Sequence, residues 1–382
     1  MARTPPSFIE GRLNRAATVG EYFAAELLEP TGLTRIEVDW PEDTDLTFEK
    51  DHNSGKWIIS GTVFNAKMYE FILRGTINNK DVAVQLRLPA SPDPWSIWKD
   101  LPVDWNTLPY PKDDTDQAQV TGDLTMIAAS RRGRSHAHKA LPRDDDMRIY
   151  HDEVTGWHIA TVADGAGSAE YSRFGSFTAV ETVIAELPIL LANHLPDPTN
   201  GDVDAGLLAT LGAAVGKAAD AIDQAALSSG RRLQDFSTTL LIGIARKTDD
   251  GYFFASISIG DGMIGVIADD ATPLMMSPDN GSYAGQTTFL RKEAFADEDA
   301  LSARIHHCIV PDFTAFMLMT DGVSDPMFSS EKAAENITEW TALFEQIDMS
   351  SSDALCEWLH FKVKGEHDDR TIAIITPDKS TT

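Results

Sequence analysis

Three aspartates stand at the ends of apolar runs that have strand character, and glycine directly follows each of them. The pairs are Asp164-Gly165, Asp261-Gly262 and Asp321-Gly322. The end of a buried strand is a rigid mount for a carboxylate, and glycine lets a backbone carbonyl approach an ion closely. Any single Asp-Gly pair is also an ordinary turn sequence. Three such pairs, each after an apolar run, favour a carboxylate-lined metal centre over three unrelated turns.

A fourth acidic site supports this interpretation. Asp368 lies in the segment 367–371, which reads His-Asp-Asp-Arg-Thr and directly precedes the apolar residues 372–375. Carboxylates and backbone carbonyls are hard oxygen ligands, which Mg²⁺ and Mn²⁺ prefer, whereas Zn²⁺ is more often held by thiolate and imidazole. Since the sequence has no cluster of cysteine and histidine at metal-binding spacing, the donor set favours Mg²⁺ or Mn²⁺.

Five motifs occur along the chain in a definite order. They are Ala-Asp-Gly-Ala-Gly at 163–167, Ser-Thr-Thr-Leu at 237–240, Gly-Asp-Gly at 260–262, Thr-Asp-Gly-Val at 320–323 and Asp-Asp-Arg-Thr at 368–371. Their order and spacing resemble the protein phosphatase 2C family, the metal-dependent serine/threonine phosphatases, over about residues 120–377. The form Asp-Gly-Ala-Gly-Ser at 164–168 is similar to that of a bacterial branch. The resemblance implies hydrolysis of phosphoserine and phosphothreonine by a water that two metal ions activate.

The resemblance also implies a role for most of the acidic residues. Asp164 is the carboxylate that bridges two ions, and Gly165 offers its carbonyl oxygen to them. Asp321 and Asp368 complete the carboxylate set of the first ion. Asp261 is the candidate for a third, weaker metal site near the substrate.

The family carries a further acidic pair near its first strands, and in this chain that pair falls within residues 144–146. The alignment leaves its register open by one residue. Aligning Pro142 with a proline of the bacterial branch makes Asp145 the principal carboxylate and gives Asp144 the task of holding water on the second ion. Asp145 is therefore expected to be catalytic together with Asp164.

The residue that binds the phosphate is less clearly marked, because Leu141 or a neighbour occupies the position of the family's usual arginine. The local alternatives are Arg131, Arg134, His136 and Arg143. Arg134 and His136, in Gly-Arg-Ser-His at 133–136, are the favoured catalytic candidates, and a solvated basic loop is the open alternative. The sequence departs from the family in two further ways: Ala-Gly-Ser follows Asp164-Gly165 where methionine and two glycines are commonest, and Asp369 stands where asparagine is usual. His367, beside Asp368, is a candidate general acid.

The elements that would position these residues fit an α+β domain over residues 120–382. Apolar runs at 124–129, 237–245, 252–260, 263–267 and 371–376 predict strands, and helical spacing occurs at 174–195, 207–236, 331–344 and 353–363. The pair 237–245 and 252–260 is joined by a short turn, which indicates antiparallel pairing. The fold that the resemblance implies is a four-layer α-β-β-α sandwich of two antiparallel sheets flanked by helices, with a flap at 277–290.

The preceding 119 residues predict different architecture. Residues 1–30 are expected to form an N-terminal arm, because apolar residues lie at helical spacing between 14 and 29. Residues 31–90 alternate short strand patterns with turn residues, which is typical of a small all-β sandwich, and one pattern at 46–71 resembles immunoglobulin-like modules. Residues 91–119 are rich in proline and tryptophan, so we expect an extended connector that packs on a neighbouring surface.

The composition limits the partners. The chain has 59 acidic and 32 basic residues and a formal charge of −27, which disfavours binding to nucleic acid or to an anionic membrane. Its two cysteines lack metal-ligand spacing, the N-terminus lacks the pattern of a secretory signal, and we expect no apolar run long enough to span a membrane. These features predict a cytoplasmic protein.

The sequence therefore predicts a phosphoprotein phosphatase with two, or with a third site three, Mg²⁺ or Mn²⁺ ions. Its expected partners are a phosphorylated protein substrate and a cognate serine/threonine kinase or that kinase's target. One alternative is a catalytically weak or inactive member that keeps the fold as a binding or regulatory module. Because aspartate fills all the principal carboxylate positions, activity is favoured. An unrelated carboxylate-metal hydrolase is the third hypothesis, and motif order disfavours it.

Overall fold

The computed structural model describes residues 7–194, 203–269, 272–277, 288–295 and 297–377. The chain divides into two compact units, Met1–Lys99 and Asp100–Thr382. Sheets and helices are both present, so the protein is of mixed α+β type. The predicted flap at 277–290 lies largely outside the described residues.

The first unit is built from strands. They are β1 (Ser7–Glu10), β2 (Arg12–Leu13), β3 (Ala17–Thr18), β4 (Tyr22–Glu29), β5 (Thr34–Val38), β6 (Thr44–Lys50), β7 (Trp57–Val63), β8 (Met68–Ile77) and β9 (Lys80–Ser91). One sheet has the order β1-β9-β8-β5, with β3 also paired to β9, and the other has the order β2-β4-β7-β6. Phe23 and Ile59 of the second sheet share an apolar cluster with Phe71 and Leu86 of the first.

The expectation of a helical N-terminal arm over residues 1–30 is wrong. Phe23, Ala25 and Leu27 are buried while their neighbours in β4 are more exposed, which is the alternation of a strand. Phe23 and Leu27 are four residues apart, and this spacing puts two side chains on one face of either a helix or a strand. Only Ala25, between them, distinguishes the two periods. The segment supplies strands to both sheets of the first unit and is not a separate arm.

The second unit contains two antiparallel sheets. Its strands are β10 (Thr115–Thr121), β11 (Leu124–Arg131), β12 (Asp146–His151), β13 (His158–Ala163), β14 (Leu240–Thr248), β15 (Gly251–Ile259), β16 (Met263–Ala268), β17 (Pro273–Met275), β18 (Ile305–Val310), β19 (Phe313–Met319) and β20 (Arg370–Pro377). One sheet has the order β10-β11-β20-β19-β16-β17 and the other β12-β13-β14-β15-β18. Because β10 begins at Thr115, the end of the expected connector 91–119 is strand.

Helices accompany both sheets. They are α1 (Arg134–His138), α2 (Ser172–Asn193), α3 (Val203–Leu207), α4 (Ala213–Ser229), α5 (Glu298–Ser302), α6 (Asp321–Met327), α7 (Ile337–Phe344) and α8 (Ser352–Trp358). A π-helical turn, Leu208–Gly212, joins α3 to α4. The helix expected at 207–236 ends at Ser229, because Gly230 takes a left-handed conformation that caps the C-terminus.

Three apolar clusters hold the second unit together, because its central strands bury both faces. Along β13, Ile159 faces the cluster under α2 and α4, whereas Val162 faces a cluster shared by the two sheets. The shared cluster also contains Leu318 of the opposite sheet. A third cluster joins that sheet to α7 and α8, with Trp340 and Leu355 at its centre. The strand ends that carry the acidic motifs are therefore anchored in a continuous core.

By length and composition, α2 and the helical stretch Val203–Ser229 could each cross a membrane, so the expectation that no run is long enough is wrong. In the structure, Val183 and Leu187 of α2 pack with Ile222 of α4 and with the sheet beneath them. Core helices of globular domains pass the same test of length and hydropathy. The packing identifies these two helices as part of the core.

Candidate metal centre

Asp164 follows the last residue of β13, and the motif at 237–240 holds its backbone from the neighbouring strand. The amide of Asp164 donates to Oγ1 of Thr239 at 2.9 Å, and its carbonyl accepts from the amide of Thr239 and the hydroxyl of Thr238, both at 2.8 Å. These three bonds fix the peptide that carries the carboxylate. The hydroxyl residues of the Ser-Thr-Thr-Leu motif therefore serve to position Asp164.

Asp164, Asp261 and Asp321 converge although about 160 residues separate the first from the last. One carboxylate oxygen of each lies within 4.8 Å of the others. Asp261 lies in the turn between β15 and β16, and Asp321 is the first residue of α6 rather than part of the turn expected from its sequence. The helix can begin there because Gly322 lies against the backbone of Asp369, where an added Cβ would be 1.8 Å from the carbonyl oxygen.

Asp145 is the member of the 144–146 segment that joins this cluster. Its carboxylate accepts hydrogen bonds from Thr320 at 3.0 Å and Thr371 at 2.7 Å, and its charge contributes to the raised pKa of Asp164. Asp146 points elsewhere and forms an ion pair with Lys112 at 2.9 Å. Of Asp145 and Asp146, Asp145 is therefore the residue whose carboxylate lies at the acidic cluster.

A second acidic group adjoins the first and consists of Asp368, Asp369 and His136. Asp369 is its buried centre, and it accepts bonds from the amides of Gly133 and Asp144, both at 2.6 Å, and lies 2.9 Å from Nδ1 of His136. Burial alone would raise the pKa of Asp369, but His136 and these amides hold it below its ordinary value. Asp369 is therefore an anion, and its carboxylate links its own segment to Gly133 and His136 at α1 and to Asp144 before β12.

Three carboxylates of the first cluster, Asp145, Asp164 and Asp321, carry raised pKa values. Burial, followed by the charges of neighbouring carboxylates, raises the pKa of Asp164 and of Asp145 well above the ordinary range. The same causes raise the pKa of Asp321 to about 7 and that of Asp144 to about 6. Buried like charges repel, and a bound cation removes the penalty. The cluster thus has the electrostatics of a cation site.

The donor set also fits a hard divalent cation. The converging groups offer carboxylate oxygens, and Oδ1 of Asp144 is buried without a hydrogen-bond partner. Gly165 packs so closely on Asp144 that an added Cβ would lie 2.6 Å from its carbonyl oxygen, so only glycine fits at this position. Oxygen-rich sites of this kind suit Mg²⁺ and Mn²⁺. The residues present therefore fit the ions that the sequence predicts.

The basic candidates occupy different places. Arg143 is buried and donates to the carbonyls of Asp113 and Asp145 and to Ser130, and Arg131 donates to the carbonyl of Cys356. Both arginines therefore support the fold. Arg134 begins α1, and its charge helps to lower the pKa of His367, after burial.

His136 lies between two acidic groups, and Nε2 of its ring is 3.9 Å from Oδ2 of Asp144. Burial would lower its pKa, but the charge and hydrogen bond of Asp369, with the charges of Asp144 and Asp368, raise the pKa to about 9. His136 is therefore a cation at neutral pH. Burial, followed by the charges of Arg134 and Arg370, lowers the pKa of His367.

Sequence reasoning missed Asp325, which lies one helical turn after Asp321 and whose charge contributes to the raised pKa of that residue. The sequence does contain a signal for Asp325, because a spacing of four residues places the Asp321 and Asp325 side chains on one face of a helix. Asp325 and Asp261 line a cleft of about 370 Å³, together with Lys332 and Glu335. An open cleft thus adjoins the acidic cluster.

Fold and site together define a class, namely a mixed α+β protein with a half-buried cluster of carboxylates suited to divalent cations. Within that class, the chain belongs to the protein phosphatase 2C family, whose model matches residues 132–360, more than half of the chain. The sequence-based identification of the family is confirmed. The matched region ends before Asp368 and Asp369. A search of curated proteins finds no significant match.

Solved structures with similar folds include RsbX in complex with magnesium, which is 13% identical with a TM-score of 0.39 and covers 68% of this chain and 98% of that one. The Mycobacterium tuberculosis serine/threonine phosphatase PstP is 17% identical with a TM-score of 0.37, covering 66% and 98%. A C. elegans sex determining protein is 14% identical with a TM-score of 0.43, covering 67% and 65%.

Proposed function

We propose that this protein is a metal-dependent protein serine/threonine phosphatase, which hydrolyses phosphoserine and phosphothreonine with Mg²⁺ or Mn²⁺. The observation that carries the proposal is the convergence of Asp145, Asp164, Asp261 and Asp321 from segments far apart in sequence. Membership of the protein phosphatase 2C family supports the same reaction class. Bringing several carboxylates this close together costs free energy of folding, and such crowding is typical of functional sites.

We assign the metal ligands as follows. Two ions would be held by Asp164, by the carbonyl oxygen of Gly165 and by Asp321, Asp368, Asp145 and Asp144, and Asp261 would hold a third, weaker ion. When bound, the ions would lower the pKa of a water molecule and neutralise charge on the phosphoryl group. The chain's own contribution is to hold these oxygens rigidly, through the Thr238 and Thr239 bonds to Asp164 and the Thr320 and Thr371 bonds to Asp145.

We propose that Arg134, the first residue of α1 in the motif Gly-Arg-Ser-His at 133–136, binds the substrate's phosphate. Nδ1 of His136 contacts Asp369, and Arg143 is bonded to backbone and to Ser130. His136, positively charged beside Asp144, offsets part of the negative charge that surrounds the substrate's phosphate. In this assignment Asp144 orients water with its unpartnered oxygen.

The finer architecture is also proposed. We describe the second unit as a four-layer α-β-β-α sandwich, supported by the three apolar clusters that separate helices from sheet, sheet from sheet and sheet from helices. The first unit is proposed to be an immunoglobulin-like module, supported by its two sheets and the shared cluster between them. Its proposed task is to bind or position the substrate.

The proposed partners are a phosphorylated protein and a serine/threonine kinase or its target. The net charge of −27 supports the expectation that nucleic acid and anionic membranes are not partners. The free thiols of Cys308 and Cys356 support a reducing, cytoplasmic location. The alternative, an inactive binding module, is disfavoured because every principal carboxylate position keeps its aspartate.

The activity can be tested by phosphate release from matched phosphothreonine, phosphoserine and phosphotyrosine peptides, with Mn²⁺, with Mg²⁺ and with EDTA. We expect Mn²⁺-dependent turnover of the phosphothreonine and phosphoserine peptides and none in EDTA. Peptide binding without turnover under every metal condition would favour the inactive module. Turnover that persists in EDTA would contradict a metal-dependent mechanism.

A further inference from the structure

Residues 101–114, here called the strap, run along the second unit ahead of its first strand. Side chains of the second unit form hydrogen bonds with the backbone of the strap. Arg173 donates to the carbonyl of Tyr110 at 3.2 Å, and Arg143 donates to the carbonyl of Asp113 at 3.1 Å. One guanidinium nitrogen of Arg132 donates to both carboxylate oxygens of Asp114, each at 2.9 Å. The strap lies entirely outside the matched family region, which begins at residue 132.

Lys112 is a strap residue whose side chain is buried against the second unit. Its side chain is only 10% exposed, and its ammonium group donates to the carbonyl oxygen of Asp145 at 2.8 Å. The same group pairs with Oδ2 of Asp146 at 2.9 Å and contacts the hydroxyl of Ser176 at 3.3 Å. Removing a lysine ammonium from water costs free energy, so its three partners, two at the start of β12 and one in α2, indicate a defined task.

That task follows from how Asp145 is held. Its carboxylate accepts bonds from two threonine hydroxyls, Thr320 and Thr371, which aim the oxygens at the acidic cluster. Its carbonyl oxygen, at the other end of the residue, accepts bonds from Lys112 at 2.8 Å and from Arg143 at 3.0 Å. The two cations hold the backbone carbonyl of Asp145 in place, and with it the Cα atom from which the carboxylate side chain extends.

We propose that Lys112 is a positioning residue for the metal centre, acting from the strap on the backbone of Asp145. The proposal rests on the proposed function, since it presumes that Asp145 serves a bound ion. Groups that orient a metal ligand from outside the ligand set are worth roughly 10- to 100-fold in metal affinity or activity. The strap would then be needed for full metal affinity, although it lies outside the region that the family model matches.

The test compares Lys112→Met, which removes the ammonium, with Lys112→Arg, which keeps a cationic donor. Arginine has room, because Lys112 lines a cavity of about 390 Å³. Lys217→Met is the matched control, since Lys217 pairs with Glu186 on the exposed face of α4 and α2. For each full-length variant, the Mn²⁺ dissociation constant is measured by calorimetry, and kcat and KM on a phosphothreonine peptide are measured at saturating Mn²⁺.

We expect Lys112→Met to weaken Mn²⁺ binding about 10- to 100-fold with little change in peptide KM. Lys112→Arg should recover most of that affinity, and Lys217→Met should match the wild type. If Lys112→Met does not fold, Lys112→Gln, which keeps a donor without the charge, takes its place with the same expectation of weaker binding.

Mn²⁺ affinity within about twofold of wild type in the folded Met or Gln variant would overturn the proposal, as would an arginine variant no better than methionine. Wild-type protein that binds Mn²⁺ but releases no phosphate would contradict the proposed function while leaving the Lys112 comparison intact. Wild-type protein that does not bind Mn²⁺ would overturn both.

Discussion

The substitution Asp369→Asn introduces the residue that is usual at this position in the protein phosphatase 2C family. We nevertheless expect it to destabilise this protein. Asp369 is surrounded by three donors, namely the amides of Gly133 and Asp144 and the protonated ring of His136. An asparagine side chain has one oxygen and one NH₂ group, so at least one donor would face another donor. The buried imidazolium would also lose its hydrogen-bonded anion.

The size of the effect follows from the pKa of His136, which is raised to about 9 from an ordinary 6.5. A difference of about 2.5 pH units corresponds to about 3 kcal/mol, at about 1.4 kcal/mol per unit. Because the pKa is raised, this stabilisation is complete below pH 6.5 and is lost as the pH rises through 9. The unpaired donor adds about 1–3 kcal/mol.

The assay is thermal unfolding in EDTA at pH 6.5 and pH 9.5, with the His136 pKa followed by NMR. At pH 6.5 we expect Asp369→Asn to lower the Tm by roughly 5–10 °C and to return the His136 pKa to 6.5 or below. A cycle with His136→Gln isolates the pair, and the penalty of the asparagine should shrink in that background. An Asp369→Asn protein with wild-type Tm and an unchanged His136 pKa would refute the reasoning.

Three further outcomes are expected. Because the pKa values of Asp144 and Asp321 are raised to about 6 and 7, the folded metal-free protein binds more protons than the unfolded chain between pH 4 and 7. Its Tm should therefore fall as the pH rises across that range. The increase in Tm on adding Mn²⁺ should be larger at pH 8 than at pH 5.5, and equal increases would contradict repulsion between ionised carboxylates as the cause. Arg134→Ala should raise the peptide KM about 10-fold and leave the calorimetric Mn²⁺ affinity unchanged, whereas a loss of Mn²⁺ binding would place the arginine in the metal centre. Gly322→Ala should abolish soluble folded protein, because the new Cβ would lie 1.8 Å from a backbone carbonyl oxygen; Gly216→Ala, with open space around it on α4, should fold at or slightly above the wild-type Tm in the same thermal assay.

Much of the acidic centre could be predicted because its signals are local. An apolar run followed by Asp-Gly marks both a buried strand and the place where it ends, and the structure brings Asp164, Asp261 and Asp321 within one cluster. The hairpin pattern at 237–260 likewise indicated antiparallel pairing, and β14 pairs with β15 in that way. Such features depend on neighbours in sequence, so the sequence alone carries them.

Other features depend on contacts that no local pattern encodes. Residues 22–29 satisfy helical and strand spacing alike, and pairing with β7 decides the outcome. Lys112 is an unremarkable lysine in a proline-rich segment until the fold places it beneath Asp145. The bond between His136 and Asp369 joins residues 233 positions apart. In each case a long-range contact determines the role of the residue.

The most direct test of the central claim is phosphate release by Asp164→Asn, measured on a phosphothreonine peptide and on an aryl phosphate at saturating Mn²⁺. The comparison is Asp250→Asn, a change in the exposed turn between β14 and β15. We expect kcat/KM of Asp164→Asn to fall by at least about 100-fold on both substrates, with its fold intact by circular dichroism and Asp250→Asn unaffected. Near wild-type turnover by a folded Asp164→Asn protein would contradict the claim that the carboxylate cluster, through its bound ions, performs the hydrolysis.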